Sequence, residues 1–472
     1  MSTEIAKPGA ASNAPTAGQR DRGSTPYQLT RSVCPECLQF IDAQLLVRQG
    51  KLIMRKRCPD HGWFEALVSS DAQAHHAERR FNKPGTLPFH FERTHHGCPD
   101  SCGLCPEHQQ HTCLGILEIT QACDLSCPVC FAAAGGKGAH LPVDEIGKML
   151  DRLKKCEGEP EVIQLSGGEP TRHPDIIEIV QLAKDKGFTK ILLNTNGIRL
   201  HDDLKFLDRL AAVDPTIYLQ FDGFDPATYR QLRGRDLAAT KLRVVELLRE
   251  RGMCTVLVAT LVRGVNEHEL GALVDFAVDQ EFVRCLNLQP ATYAGRFESS
   301  QKGLTRDALT RLTLPEVTEL IAAQSRHGLR PDDFFPIPCP DPACSKVTYL
   351  YQGDDGLVPI VRLVDVEEHL DYIKDVSVPR LTDRVKQALE SLSSMSAVPG
   401  EKTSRSFCEA CGVDLDWGAI EKQITMISMM HFMDAENYDL ARAQKCCVHE
   451  VLPYDGGIVP FCNYNVLHRG RG

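Results

Sequence analysis

The stretch that decides the reading is Cys123-Asp124-Leu125-Ser126-Cys127-Pro128-Val129-Cys130, three thiols separated by three and then two residues. A cubane [4Fe–4S] cluster ordinarily takes four thiolates. The next cysteine, Cys156, lies in an amphipathic segment, so three ligands leave one iron open to an outside group. A structural zinc or a closed four-thiolate site is the plainer use of such spacing. The surroundings argue for the open cluster. An apolar run of strand length, 114–120, ends just before the thiols. Further strand candidates follow at 161–166, 190–194, 216–221, 255–261 and 285–289. Between the first two, 143–155 places Ile146, Met149, Leu150 and Leu153 on one helical face, and 174–186 repeats this with Ile176, Ile177, Val180 and Ala183. Six strands, each followed by a helix, predict an α/β fold, a parallel sheet or partial (β/α)6 barrel whose chemistry sits at the strand C-termini.

The strand ends have their own pattern. Gly167-Gly168-Glu169-Pro170 closes the second strand and Asn194-Thr195-Asn196-Gly197 the third. Gln220-Phe221-Asp222-Gly223 closes the fourth, and Asn287-Leu288-Gln289-Pro290 the sixth. Any one of these is an ordinary turn composition. In this order behind the three-cysteine loop, they resemble the radical S-adenosylmethionine (SAM) superfamily. That family usually has an aromatic residue before the third cysteine, where this chain has Val129, with Phe131 after it. The resemblance implies that Cys123, Cys127 and Cys130 hold a catalytic [4Fe–4S] cluster. It implies that Gly167, Gly168, Glu169, Pro170, Asn196, Gln220, Asp222 and Gln289 bind SAM. The chemistry implied is one-electron cleavage of SAM to a 5′-deoxyadenosyl radical, which takes hydrogen from an unactivated carbon.

Outward from this core the cysteines continue, twenty in a chain of 472 residues. Dense cysteine spacing in a reducing compartment reads as metal ligation. Cys34-Pro-Glu-Cys37 and Cys58-Pro-Asp-His61 form two knuckles of a ribbon that suits one zinc or one iron, with His61 the candidate fourth ligand. Cys98, Cys102, Cys105 and Cys113 supply four thiols for a closed auxiliary cluster. No strand precedes them and no Gly-Gly-Glu strand follows directly, so they do not compete for the catalytic role. Cys339, Cys344, Cys408, Cys411, Cys446, Cys447 and Cys462 exceed the needs of one more cluster, and spacing does not say which four would form it. Cys156, Cys254 and Cys285 stand alone in apolar segments and read as small buried hydrophobes.

Composition bounds the rest. The formal charge is −10, with 53 basic against 63 acidic residues, which gives no basic surface for nucleic acid. There is no apolar run of membrane-spanning length and no signal-peptide core, so the expected location is cytoplasmic, with peripheral, transient contact at a membrane surface left open. The expected organisation is a disordered tail over 1–28, a metal-ribbon module over 29–82 and an auxiliary-cluster segment over 83–113. A radical SAM core over 114–300 and a C-terminal auxiliary-cluster region over 301–472 follow, the latter with a polar linker at 391–406.

The ribbon, the second cysteine set, the central loop and the terminal Cys446-Cys447-Val-His with Pro-Phe-Cys462-Asn-Tyr-Asn resemble a narrower group. It contains archaeal tetraether lipid synthases and bacterial synthases of membrane-spanning lipids, some earlier described as dihydropterin methyltransferases. The resemblance implies coupling of two lipid tails at terminal carbons, one or two auxiliary [4Fe–4S] clusters, and an electron donor such as ferredoxin or flavodoxin. Two other enzymatic readings are alkylation of a pterin-like small molecule and modification of a peptide. A non-catalytic electron carrier is a third, and it would have no use for the Gly-Gly-Glu-Pro strand end. A lipid substrate requires a long apolar cavity from Gly167 and Gln220 toward the region after Asp333.

Overall fold

The computed structural model describes residues 23–93, 103–160, 162–298, 304–353, 356–363, 365–373, 423–454 and 456–469. Its first unit is an antiparallel sheet of β1 (Ser24–Val33), β2 (Phe40–Arg48), β3 (Lys51–Cys58) and β4 (Gly62–Ser69), in that order. Gln49 and Gly50 join β2 to β3, both at positive φ, as a two-residue hairpin turn demands. Alternation sends Ala43, Leu45, Leu52, Met54 and Val68 to one buried face. β1 begins at Ser24, inside the stretch expected to be a structureless tail through 28. Composition could not show this, because β1 is held by non-local pairing of Ser24 with Arg48 and Thr25 with Val47. An irregularity between Pro26 and Gln28 accommodates a proline that cannot donate to the ladder.

The central sheet is built from β5 (Leu114–Thr120), β7 (Val162–Gly167), β8 (Lys190–Thr195), β9 (Thr216–Gln220), β10 (Thr255–Leu261) and β11 (Val283–Pro290). These six pair in parallel, and the helices between them include Val143–Glu157 and Ile176–Asp185. Two short strands, β6 (Val129–Cys130) and β12 (Arg296–Phe297), pair across the top of the sheet. From the C-terminal region come β13 (Ser345–Gly353), β14 (Gly356–Pro359), β15 (Ile424–Met430), β16 (Val448–Val451) and β17 (Ile458–Pro460). The full order is β14-β13-β15-β11-β10-β9-β8-β7-β5-β16-β17. The parallel run is therefore longer than the six strands read from the sequence, because β15 pairs in parallel with β11 and β16 with β5. Neither strand is part of a strand–helix repeat, which is why periodicity does not reveal them.

Strand parity divides the sheet. Leu117, Ile119, Ile163, Leu165, Leu193, Leu219, Leu257 and Leu288 face the helices and are wholly buried with Ile146, Leu150, Ile179 and Val180. Burying such side chains contributes about 1.5–3 kcal/mol each. The opposite parity, including Ile116, Gln164, Asn194, Tyr218, Val258, Asn287 and Met426, faces inward onto a cavity. Among the described residues no helix is long and apolar enough to cross a membrane.

Candidate active site

β5 feeds directly into the loop of Cys123, Cys127 and Cys130, and β7 ends against it. Gly168 N–H donates to Thr120 O at 2.7 Å and Glu169 N–H to Ala122 O at 2.8 Å. A Cβ on Gly167 would stand 2.2 Å from Thr120 O, and one on Gly168 2.4 Å from Ala122 O. The two glycines are thus required by close backbone approach, and Gly167 also sits at φ +117°. A second clasp comes from residues 295–296. Arg296 donates to Cys127 O and Ala134 O, both at 2.7 Å, while Gly295 passes under the Phe131 carbonyl. Burial pushes the Cys123 thiol up to about 12 and raises Cys127 as well. Two such thiols beside Cys130 at one cavity mouth are stable as thiolates only around positive charge, which fits the three-ligand cluster.

The strand-end residues divide into those that face the cavity and those that support it. Gly167, Gly168, Glu169, Asn196, Gln220 and Gln289 line the cavity beside the three thiols. Their polar side-chain atoms are largely occupied within the protein. Glu169 is 1% exposed and its carboxylate accepts from Thr171 N–H, Thr171 Oγ1, Thr195 Oγ1 and Asn196 N–H. Asn196 donates to Asp124 Oδ1 at 2.6 Å and accepts from Ile198 N–H. Asp222 and Pro170, expected among the SAM contacts, are not in the cavity wall. Asp222 is completely buried behind it, bound to Arg233, Thr260 N–H and Gln220, and Pro170 opens a buried helical turn. The strand-end carboxylate of Asp222 has a helical arginine as its partner.

The cavity has a volume of about 930 Å³ and runs from Lys190, Thr216 and Arg284 at the strand starts to Gly168, Asn196 and Pro290 at their ends. At ~3.3 Å per strand residue that is about 20 Å. Phe335, Ile337, Tyr349, Ile360, Val361 and Val366 from the C-terminal region extend its apolar wall. Cys254 and Cys285 also line it; Cys285 is buried in a small apolar cluster with Tyr218, Val256 and Val258, as expected, while Cys254 is partly exposed. Cys156 is buried under the helix Val143–Glu157. Phe131, Phe432 and Phe461 meet in the wall with ring centroids 4.8–5.5 Å apart.

A second group of thiols opens on the same cavity. Cys113, Cys339 and Cys447 bring their sulfurs within 4.8 Å of one another. Cys447 is raised well above its ordinary value by hydrogen bonding with Cys113 and Cys339 and by burial, again a set that a cation would relieve. Among the described residues Cys113 therefore sits with two of the C-terminal cysteines. The pairing of β5 with β16 sets Leu114 opposite Val448 and so brings Cys113 to Cys447. Cys105 is outside this group, and Cys98, Cys102, Cys408, Cys411 and the 391–406 linker lie outside the described residues. Cys344, Cys446 and Cys462 occupy a neighbouring buried region, with Arg442 donating to Cys344 Sγ at 3.4 Å.

The ribbon places Cys34, Cys37, Cys58 and His61 together. His61 Nδ1 lies 3.6 Å from Cys34 Sγ and 3.5 Å from Cys58 Sγ, and Cys37 and Cys58 are 3.9 Å apart. A tetrahedral zinc with bonds of ~2.3 Å to sulfur and ~2.05 Å to nitrogen requires edges of about 3.8 and 3.6 Å. The four groups fit a single ion.

Sequence patterns of known families match the two units. That of the radical SAM superfamily covers residues 117–277, and that of the HMPTM N-terminal zinc ribbon domain covers 26–70. The 7,8-dihydro-6-hydroxymethylpterin dimethyltransferase of Methanocaldococcus jannaschii is 35% identical over 93% of this chain and 94% of its own length. The GTP 3′,8-cyclase of Synechocystis is 26% identical over 46% of this chain and 62% of its own length. Streptococcus suis SuiB bound to S-adenosylmethionine aligns over 44% of this chain and 46% of its own, with a TM-score of 0.37 and 17% identity.

Proposed function

We propose that this chain, which belongs to the radical SAM superfamily and within it to the family of the M. jannaschii dimethyltransferase, joins long apolar chains at unactivated carbons. As a radical SAM enzyme it uses SAM and a [4Fe–4S] cluster, acts on a substrate and is reduced by an electron donor. In our reading Cys123, Cys127 and Cys130 hold the catalytic cluster, Cys113, Cys339 and Cys447 an auxiliary metal group, and the ribbon a zinc. With SAM bound, the catalytic cluster supplies one-electron cleavage of the sulfonium and so a 5′-deoxyadenosyl radical. Coupling two C–H carbons this way consumes two SAM and two electrons, and releases two methionines and two 5′-deoxyadenosines per new bond.

The observation that supports this reading is a single long cavity with apolar walls that touches both thiol triads. A fatty chain leaves water for such a wall at a gain of ~0.8 kcal/mol per methylene. The residues around it exclude water and leave the chain few orientations. Phe131, adjacent to Cys130, and Phe461, packed against the Cys113–Cys339–Cys447 group, would hold a chain end between the two metal sites.

A second reading, alkylation of a dihydropterin-like molecule, is favoured by a band of amides midway along the cavity. Gln164, Asn194, Asn287 and Gln289 line it, and Asn287 Oδ1 is buried without a hydrogen-bond partner. Expression in a host that lacks tail-linked lipids, followed by mass spectrometry of hydrolysed membranes, separates the two. Tail-to-tail products support coupling. Their absence, together with alkylation of a pterin by purified enzyme, overturns it.

A further inference from the structure

A buried charged network lies directly beneath the three-cysteine loop. Arg233 Nε and Nη2 grip the two oxygens of Asp222 at 2.7 Å each, and Nη2 also donates to Thr260 Oγ1 at 2.9 Å. Its Nη1 reaches Val129 O at 3.4 Å, between Cys127 and Cys130, and its positive charge offsets part of the burial that raises the Cys127 thiol. The Arg233 side chain is 10% exposed and that of Asp222 not at all. On the far side of Asp222, Gln220 donates to the carboxylate through Nε2 and accepts from Lys241 Nζ at 2.7 Å through Oε1. Lys241 also donates to Asn196 O and is completely buried. Two basic side chains thus flank one carboxylate, Arg233 directly and Lys241 through Gln220.

We propose that Arg233, aimed by Asp222 and backed by Lys241, sets the reduction potential of the catalytic cluster through Cys127. Each electron added to a thiolate-ligated cluster adds negative charge in a partly desolvated site. A cation beside a ligating sulfur stabilises the reduced form over the oxidised one, and net charge near the cluster is one of the levers the protein has on its potential. Asp222 fixes the fork of the guanidinium against the backbone between Cys127 and Cys130, a bidentate arrangement that lysine cannot reproduce. The helix Pro226–Arg233 ends on Arg233, with Gly234 at φ +79° as its cap, so the guanidinium is delivered from a rigid terminus. Arg233 is a positioning residue in this scheme, acting through a cluster ligand. The inference rests on the assignment of Cys123, Cys127 and Cys130 to that cluster and is independent of the substrate.

The test is a redox titration of the reconstituted full chain, followed by electron paramagnetic resonance of the SAM-responsive cluster signal. In Arg233→Gln the potential becomes more negative, so that the reduced fraction at a fixed poise falls about tenfold, the equivalent of 59 mV for a one-electron couple. Arg233→Lys recovers part of the shift, because charge returns without the fork. Lys241→Met, which touches no cluster ligand, shifts the potential in the same direction by less. SAM cleavage driven by a flavodoxin falls in Arg233→Gln and returns with titanium(III) citrate. An unchanged potential in a loaded Arg233→Gln enzyme overturns the proposal. Should that variant fail to load its cluster, an unchanged potential in Lys241→Met overturns it. Loss of the SAM-responsive signal on replacing Cys98, Cys102 or Cys105, and not Cys123, would overturn the underlying loop assignment instead.

Discussion

Gly167 and Gly168 carry no functional group, yet the loop geometry depends on them. A methyl group on Gly168 would collide with backbone at Ala122, which has no flexible end to move aside. Gly168→Ala is therefore expected to separate β7 from the cysteine loop, lowering SAM binding by tenfold or more, about 1.4 kcal/mol, as read by equilibrium binding to the reconstituted enzyme. Cys123→Ala, Cys127→Ala or Cys130→Ala should abolish 5′-deoxyadenosine formation while other metal remains, checked by product analysis and iron content. Glu169→Ala should weaken SAM binding more than it lowers iron content, by releasing Thr195 and Asn196, which its carboxylate holds. At this scale the three thiols and the strand-end positions were legible because ligand spacing and turn chemistry are local. The partners of Asp222 and Gln220 were not. Arg233 and Lys241 sit on helices whose patterns look like any amphipathic surface, and only folding brings them to the strand ends beside the cysteine loop.

The ribbon is an element with a seam. Lys56 is buried at the join, donating to Ser32 Oγ at 3.0 Å and to Ala435 O at 2.6 Å, and Thr30 donates to Asp439 Oδ1 at 2.7 Å. Beside it Arg311 and Asp434 form an ion pair with side chains only 2% and 1% exposed. Breaking that pair by Arg311→Met leaves an uncompensated carboxylate, so thermal unfolding should show a loss of about 3–5 kcal/mol. Burial lowers the Lys56 ammonium from 10.5 to about 8. Between those values the unfolded chain binds the proton that the folded chain has lost, so stability rises with pH across that interval. Lys56→Met should flatten that limb of the curve of melting temperature against pH. The grouping of Cys34, Cys37, Cys58 and His61 was readable because knuckle spacing is a short-range signal. Its docking onto residues 431–439 was not, since those contacts join positions almost four hundred apart.

Seen whole, the molecule is a sheet around an apolar cavity, and one of the cysteine groups on the cavity wall, Cys113, Cys339 and Cys447, joins distant parts of the chain. The strand–helix alternation made the six central strands legible to within a residue or two at their ends. The thiol set of Cys113, Cys339 and Cys447 was not, because register between β5 and β16 creates it. Three cubanes plus one single-ion site remain the expected full complement, which predicts about twelve irons per chain, with one zinc when the ribbon takes zinc. Iron, sulfide and zinc analysis with Mössbauer spectroscopy checks this. A value near four irons would leave the auxiliary thiols without cubanes.

The pairing of β16 with β5 also has a temporal meaning. The strand that leads into the catalytic loop emerges from the ribosome roughly three hundred residues before the strand that covers its edge. At ~5–20 residues per second that delay is about fifteen seconds to a minute. Through it the edge of Leu114–Thr120 has unpaired backbone groups open to another chain. Cys113 and Cys447 likewise cannot share a metal until synthesis has passed residue 447. Nascent chains held short of Val448 should therefore aggregate or recruit chaperones, and the Cys113 site should be the later of the two cavity triads to acquire metal.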